Sequence, residues 1–101
     1  MREIGHFIDG ASQPGTSGRT GDVYDPSTGQ VQARVTLGTA AELDRAVQVA
    51  VRAQASWAQV NPQRRARVMF AFKQILEREM EPLARLLSSE HGKTIVDAKG
   101  D

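Results

Sequence analysis

Val31-Gln32-Ala33-Arg34-Val35-Thr36-Leu37-Gly38-Thr39-Ala40-Ala41-Glu42-Leu43 contains the point at which the chain changes period. Before Gly38, Val31, Ala33 and Val35 alternate with Gln32 and Arg34, the two-residue repeat of a strand with one buried face. After it, Leu43, Ala46, Val47, Ala50, Ala53 and Trp57 recur at three or four residues, which marks one apolar stripe on a helix of about 18 residues ending near Val60. Between the two, Thr39 and Glu42 have the spacing of a capping box. The threonine hydroxyl accepts from the third helical amide, and the glutamate reaches back to the amide of the cap.

On the N-terminal side of this switch, residues 1–38 hold seven of the nine glycines (Gly5, Gly10, Gly15, Gly18, Gly21, Gly29, Gly38), with Pro14 and Pro26. Punctuation this dense chops a chain into short extended pieces. His6-Phe7-Ile8 reads as a strand ending in the turn Asp9-Gly10, followed by a flexible loop over 12–21. Val23-Tyr24-Asp25 and Val31 to Val35 flank Pro26-Ser27-Thr28-Gly29 and read as two strands joined by a turn. The expected product is a small antiparallel unit.

On the C-terminal side the pattern is helical throughout. Asn61-Pro62 restarts a helix, since asparagine caps well and the missing proline amide has no partner to lose at the first helical position. Val68, Met69, Phe72, Ile75 and Leu76 form its expected buried side, with Lys73, Glu77 and Arg78 facing water. Pro82 is expected to break the run and open a third helix through Leu83, Leu86 and Leu87, stopped by Gly92. Thr94-Ile95-Val96-Asp97 repeats the capping-box spacing, so a fourth helix begins just before Asp101 and the ending reads as a cut. The chain alone is therefore α+β: strands and turns over 1–38, then three to four helices over 39–101.

Composition narrows the function classes. The 101 residues suit one domain, and 40% apolar with 25% charged residues is ordinary for a soluble globular protein. Thirteen basic against twelve acidic side chains leave a net charge of +1, which argues against a dedicated nucleic-acid or anionic-membrane binder. The absence of cysteine removes disulfides, thiolate metal sites and a cysteine nucleophile from these residues. No apolar run is long enough to cross a bilayer, and Met1 to His6 lacks the apolar core of a leader, so a cytoplasmic location is expected.

The motifs that could carry chemistry each have a plainer reading. Gly92-Lys93-Thr94 resembles the tail of a phosphate loop, but Leu87 stands where that motif needs glycine and a helix stands where it needs a strand. Gly15, Gly18 and Gly21 are spaced by three, unlike a dinucleotide fingerprint. His6 and His91 lie far apart in sequence with no ligand spacing around them. Asp97 and Asp101, four apart, read as a charged face with Lys93 and Lys99 rather than an acid-base pair. Arg64, Arg65 and Arg67 oppose the dipole at a helix start, which points to a partner carboxylate or plain solvation ahead of a phosphate. Trp57 closes an apolar face and reads as core. No residue among the 101 is assigned a catalytic, cofactor-binding or metal-binding role.

Phe7-Ile8-Asp9-Gly10, Asp25-Pro26-Ser27-Thr28-Gly29, Ala46 to Trp57, Arg64-Arg65-Ala66-Arg67 and Glu90-His91-Gly92-Lys93-Thr94 together resemble the N-terminal part of an aldehyde dehydrogenase. His6 to Gly10, Ser89 to Thr94 and Asp97-Ala98-Lys99-Gly100-Asp101 are most similar to the CoA-acylating methylmalonate-semialdehyde dehydrogenases. The resemblance implies the leading part of the NAD-binding domain in an α/β enzyme. That enzyme oxidises methylmalonate or malonate semialdehyde with NAD and passes the acyl group from a cysteine thioester to coenzyme A. It further implies a homo-oligomer with a small-molecule substrate and no nucleic-acid or membrane partner. The nucleophile, the dinucleotide loop and the oligomerisation elements would belong to later sequence, and the 101 residues would be inactive alone. The competing reading is a standalone, non-enzymatic interaction module that uses its apolar helix faces to bind a partner.

Overall fold

The computed structural model describes residues 1–101. Five short strands come first: β1 (Arg2–Ile4), β2 (His6–Ile8), β3 (Ala11–Gln13), β4 (Thr20–Tyr24) and β5 (Val31–Thr36). Four helices follow: α1 (Ala40–Trp57), α2 (Pro62–Arg78), α3 (Met80–His91) and α4 (Ile95–Ala98). The switch from strand to helix falls between Thr36 and Ala40, where the period changes. Two compact units share these elements. One comprises Met1–Tyr24 with Val31–Gln59, the other Asp25–Gln30 with Val60–Asp101.

In the first unit a three-stranded sheet runs β1-β5-β4 and a separate hairpin pairs β2 with β3. The expected antiparallel unit is therefore incomplete, because Arg2, Glu3 and Ile4 pair in parallel with Ala33, Arg34 and Val35. A parallel partner needs a long connection, so local turn chemistry carries no sign of it. The expected loop over 12–21 is also partly strand. Phe7 pairs with Ser12 and Ile8 with Ala11 around a turn in which Asp9 and Gly10 both take positive φ, of 57° and 74°. This two-residue, left-handed geometry matches strand twist and lets even the polar Ser12 join a ladder. Ala33, 1% exposed, is the buried centre of β5, in the strand register its alternation requires.

The capping box forms as expected: Thr39 Oγ1 accepts from Glu42 N at 3.0 Å, and Glu42 Oε2 accepts from Thr39 N at 2.8 Å. Helix α1 stops at Trp57, three residues short of Val60. In the second unit Asn61 Oδ1 accepts from Gln63 N at 2.8 Å and caps α2, with Pro62 in its first turn. The break between α2 and α3 lies at Glu79, upstream of Pro82. Proline has no amide to give the carbonyl four residues back, so the ladder fails one turn before the ring itself. Gly92 ends α3 with φ 88° and its amide on Ser88 O at 2.8 Å. Thr94 Oγ1 accepts from Asp97 N at 3.3 Å, but Asp97 does not return the bond, and one side of the expected box is missing.

Burial departs most from expectation. Ala33, Ala84 and Ala98 are the only buried apolar residues. The expected core side of α2 is open, with Met69 57%, Phe72 51% and Leu76 41% exposed, and Trp57 is 41% exposed. The amphipathic period is real, because Lys73 and Glu77 pair on the polar side at 3.0 Å. What is missing is a surface to cover the apolar side. A half-exposed large aliphatic or aromatic side chain forgoes about 1 kcal/mol of transfer free energy.

Two outcomes follow from this packing. Sedimentation velocity on the 101-residue chain should show association that grows across the micromolar range; a single monomeric species with a cooperative melt would contradict the uncovered faces. A Cβ added at Gly5 would lie 2.4 Å from the carbonyl oxygen of Gln13, whereas one at Gly21 would come no nearer than 3.5 Å to Val35. Gly5→Ala should therefore cost about 1–3 kcal/mol of hairpin stability. Gly21→Ala should cost much less, both read by thermal unfolding of a longer protein that contains this segment, and equal losses would refute the clash.

Candidate functional site

The most connected polar side chain in the first unit is Glu42, in the opening turn of α1. Its Oε1 accepts from Thr16 N at 2.7 Å and from Thr16 Oγ1 at 2.8 Å. Its Oε2 takes the Thr39 amide and lies 3.3 Å from His6 Nε2. One carboxylate thus joins β2, the loop before β4, the cap residue and the helix. The neighbouring Arg45 adds a second tie, donating from Nη1 to Gln13 Oε1 at 2.6 Å. A cavity of about 250 Å³ beside it is lined by His6, Phe7, Ile8, Thr39, Leu43 and Ala46 among others.

The electrostatics follow from those donors. The Thr39 amide first, then the Thr16 hydroxyl and amide, hold the Glu42 carboxyl down to about 2, with a smaller pull from His6; desolvation acts the other way. Three donors, the Thr16 amide and hydroxyl and the Thr39 amide, already hold the two carboxylate oxygens, and His6 lies against Oε2. A group that ionises this low is also a poor general base near neutrality. Glu42 is therefore a structural anchor. The capping-box spacing announces only its bond to Thr39, because His6 and Thr16 lie 36 and 26 residues away in sequence.

In the second unit a groove of about 450 Å³ has an apolar floor that includes Leu76, Met80, Leu83 and Leu87 and a rim that includes Lys99 and Asp101. Lys93 pairs with Asp101 and lies 3.9 Å from Asp97, while Lys99 lies 2.6 Å from Glu81. Lys93 is raised above the usual lysine range, by the Asp101 bond above all. Glu81 is lowered, chiefly by its bond to Lys99. The charged face expected at Asp97 and Asp101 is thus internally paired. The lysine that resembled a phosphate-loop lysine is occupied by carboxylates, and its glycine serves as a helix stop. His6 is committed to Glu42, His91 ends α3, and no group of three or more potential metal ligands comes together. Arg64, Arg65 and Arg67 lie in α2 without a carboxylate partner in ion-pair range.

The low Glu42 value carries a pH dependence of defined sign. Its folded-state value lies below the ordinary 4.5, so the stabilisation is complete above about pH 4.5 and is lost as pH falls toward 2. Glu42→Gln should lower the thermal midpoint at pH 7 and flatten the fall between pH 4.5 and 2. Parallel curves for the two proteins, or a carboxyl carbon of Glu42 titrating near 4.5 by NMR, would contradict the anchor.

The profile of the aldehyde dehydrogenase family matches residues 13–101. Malonate-semialdehyde dehydrogenase of Listeria monocytogenes serotype 4a is 41% identical over all 101 residues, which correspond to 21% of its length. The Pseudomonas aeruginosa enzyme of the same name is 38% identical over the whole chain and 20% of its own length. Among solved structures, a Sinorhizobium meliloti 1021 protein assigned as a methylmalonate-semialdehyde dehydrogenase and complexed with NAD is 55% identical. Its TM-score is 0.96 over 99% of this chain and 20% of that one. Methylmalonate-semialdehyde dehydrogenase from Oceanimonas doudoroffii is 36% identical with a TM-score of 0.94 over the same shares. The chain thus spans about a fifth of the length of these relatives. A family profile that fits residues 13–101 and matches at up to 41% identity over all 101 residues establish that this chain belongs to the aldehyde dehydrogenase family.

Proposed function

We propose that these 101 residues are the leading scaffold of an NAD-dependent, CoA-acylating malonate- or methylmalonate-semialdehyde dehydrogenase. The observation that carries this reading is the end-to-end match to enzymes of that name, 41% identical over every residue of the chain. The TM-score of 0.96 to a relative complexed with NAD supports the same assignment. In the whole enzyme NAD supplies a hydride acceptor and coenzyme A an acyl acceptor. A cysteine contributed by other sequence would carry the thioester, since this chain has none.

The residues present do not form a cradle for the dinucleotide. A nucleotide-binding βαβ unit needs a helix between its parallel strands, yet β2, β3 and β4 separate β1 from β5. Gly15 and Gly18 lead into β4, not into a helix N-terminus. No chemical step is therefore assigned to these side chains. Their contribution is to position: Glu42 fixes the start of α1 against the N-terminal strands, and the helices offer apolar faces to neighbouring structure.

On this reading the chain is the leading part of the NAD-binding domain of a cytoplasmic homo-oligomer that acts on a small semialdehyde. No helix is long and apolar enough to cross a membrane. The open faces of α1 and α2 would equally suit an interaction module, but such a module gives no reason for dehydrogenase similarity along the entire chain. A family-length protein containing this segment should form NADH from malonate or methylmalonate semialdehyde, with acyl-CoA as the product by mass spectrometry. The 101 residues alone should form none. Absence of NADH from the family-length protein with both semialdehydes would refute the assignment.

A further inference from the structure

The groove of the second unit is apolar along its floor and electrically closed at its rim. Leu76, Met80 and Leu83 line it and remain exposed. At the rim Lys99 pairs with Glu81 at 2.6 Å and Asp101 with Lys93, and Glu90 is engaged as well. No free charge is left there to hold an ionic ligand, so the groove calls for an apolar occupant. Helix α4 enters it antiparallel to α3. Ser88, near the end of α3, donates from its hydroxyl to Lys93 O just ahead of α4, whereas Lys99, just past α4, reaches back to Glu81 in the first turn of α3. Advancing along α4 therefore means retreating along α3, toward Met80 and then Leu76. Gly100 does not take the left-handed φ with which Gly92 ends α3. The amides of Lys99, Gly100 and Asp101 bond instead to Ile95 O, Asp97 O and Ala98 O, so the backbone keeps turning in the helical sense through Asp101.

We infer that this groove seats the polypeptide that directly follows Asp101 in the family-length protein, which extends α4 antiparallel to α3 as far as Leu76. This rests on the proposed membership in a longer dehydrogenase chain, of whose relatives the present residues span 21%. Two independent lines of geometry give the same register. Both helices rise about 1.5 Å per residue, so the ties of Ser88 to Lys93 and of Glu81 to Lys99 bring about the third or fourth residue after Asp101 level with Leu76. Ala98 is the buried residue of α4, and about two turns further on the fourth residue after Asp101 returns to the same helix face. That residue should carry no charge. A helix of four residues is marginal in water by itself, and the extension would give α4 a hydrogen-bond ladder. A second copy would have to bring an apolar segment from elsewhere. The extension is already delivered to the groove at Asp101, with little loop-closure entropy to lose.

The test uses the family-length protein with Leu76→Cys and a second cysteine at the fourth residue after Asp101, treated with a short bismaleimide and read by mass spectrometry of the linked peptides. Arg78→Cys with the same second cysteine is the control, since residues two apart point to opposite sides of a helix. The expected result is a linkage within one chain at least about fivefold more abundant for Leu76→Cys than for Arg78→Cys. Equal or absent linkage in a folded protein overturns the inference. Linkage between two chains identifies a second copy as the occupant and overturns it as well. Should the cysteine variants fail to fold, the crystal structure of the unaltered family-length protein decides. The backbone after Asp101 is expected to be helical, with its fourth residue within about 4.5 Å of Leu76. Another segment, a ligand or solvent in that place overturns the inference. Neither readout needs substrate. Failure of turnover would therefore refute the proposed activity while leaving this inference standing or falling on its own evidence.

Discussion

The uncovered apolar faces of α1 and α2 are the constraint on which the rest of this structure depends. Only three alanines are buried, while Val47, Met69, Phe72 and Ile75 each keep about half of their surface in water. A chain in this condition cannot draw its stability from a core of large side chains. It relies instead on devices local to each segment: a capping box at Thr39, an asparagine cap at Asn61, a left-handed glycine at Gly92, and short-range ion pairs such as Lys73 with Glu77. Exposed pairs of this kind contribute only a few tenths of a kcal/mol each. Caps contribute about 1 kcal/mol each.

Against that background the Glu42 carboxylate has a place of its own. It makes long-range polar connections within its unit, tying His6 and Thr16 to the beginning of α1. Its role also explains why a low-lying carboxylate beside a cavity need not be catalytic. A perturbed acid is a reason to look for function, and the count of donors on its oxygens settles which kind. Here three donors of the fold itself hold its oxygens.

Much of the local architecture was legible in the sequence. The change of period at Gly38, the Thr39 and Glu42 spacing, Asn61-Pro62 and Gly92 each express a rule that acts within a few residues, and each appears where expected. What escaped was either remote or negative. The parallel pairing of Arg2–Ile4 with Ala33–Val35 joins segments about thirty residues apart, and Ser12 enters a ladder against its polar character. The helix break at Glu79 preceded Pro82 because proline's missing donor acts one turn upstream. Spacing marks Trp57 and the α2 stripe as core, but it reports only which face is apolar and not whether anything covers it. Of the candidate site the sequence announced the Thr39 and Glu42 pair alone, and the anchoring role of Glu42 needed the fold.

On the proposed reading, this segment acquires its rigidity from structure outside the 101 residues. Backbone amide hydrogen exchange, followed residue by residue through α1 and α2, tests it most directly. In the 101-residue chain the account predicts weak protection along both helices, and in a family-length protein protection that rises to the level of global unfolding. Equal, strong protection of Phe72, Ile75 and Leu76 in the two proteins would contradict it.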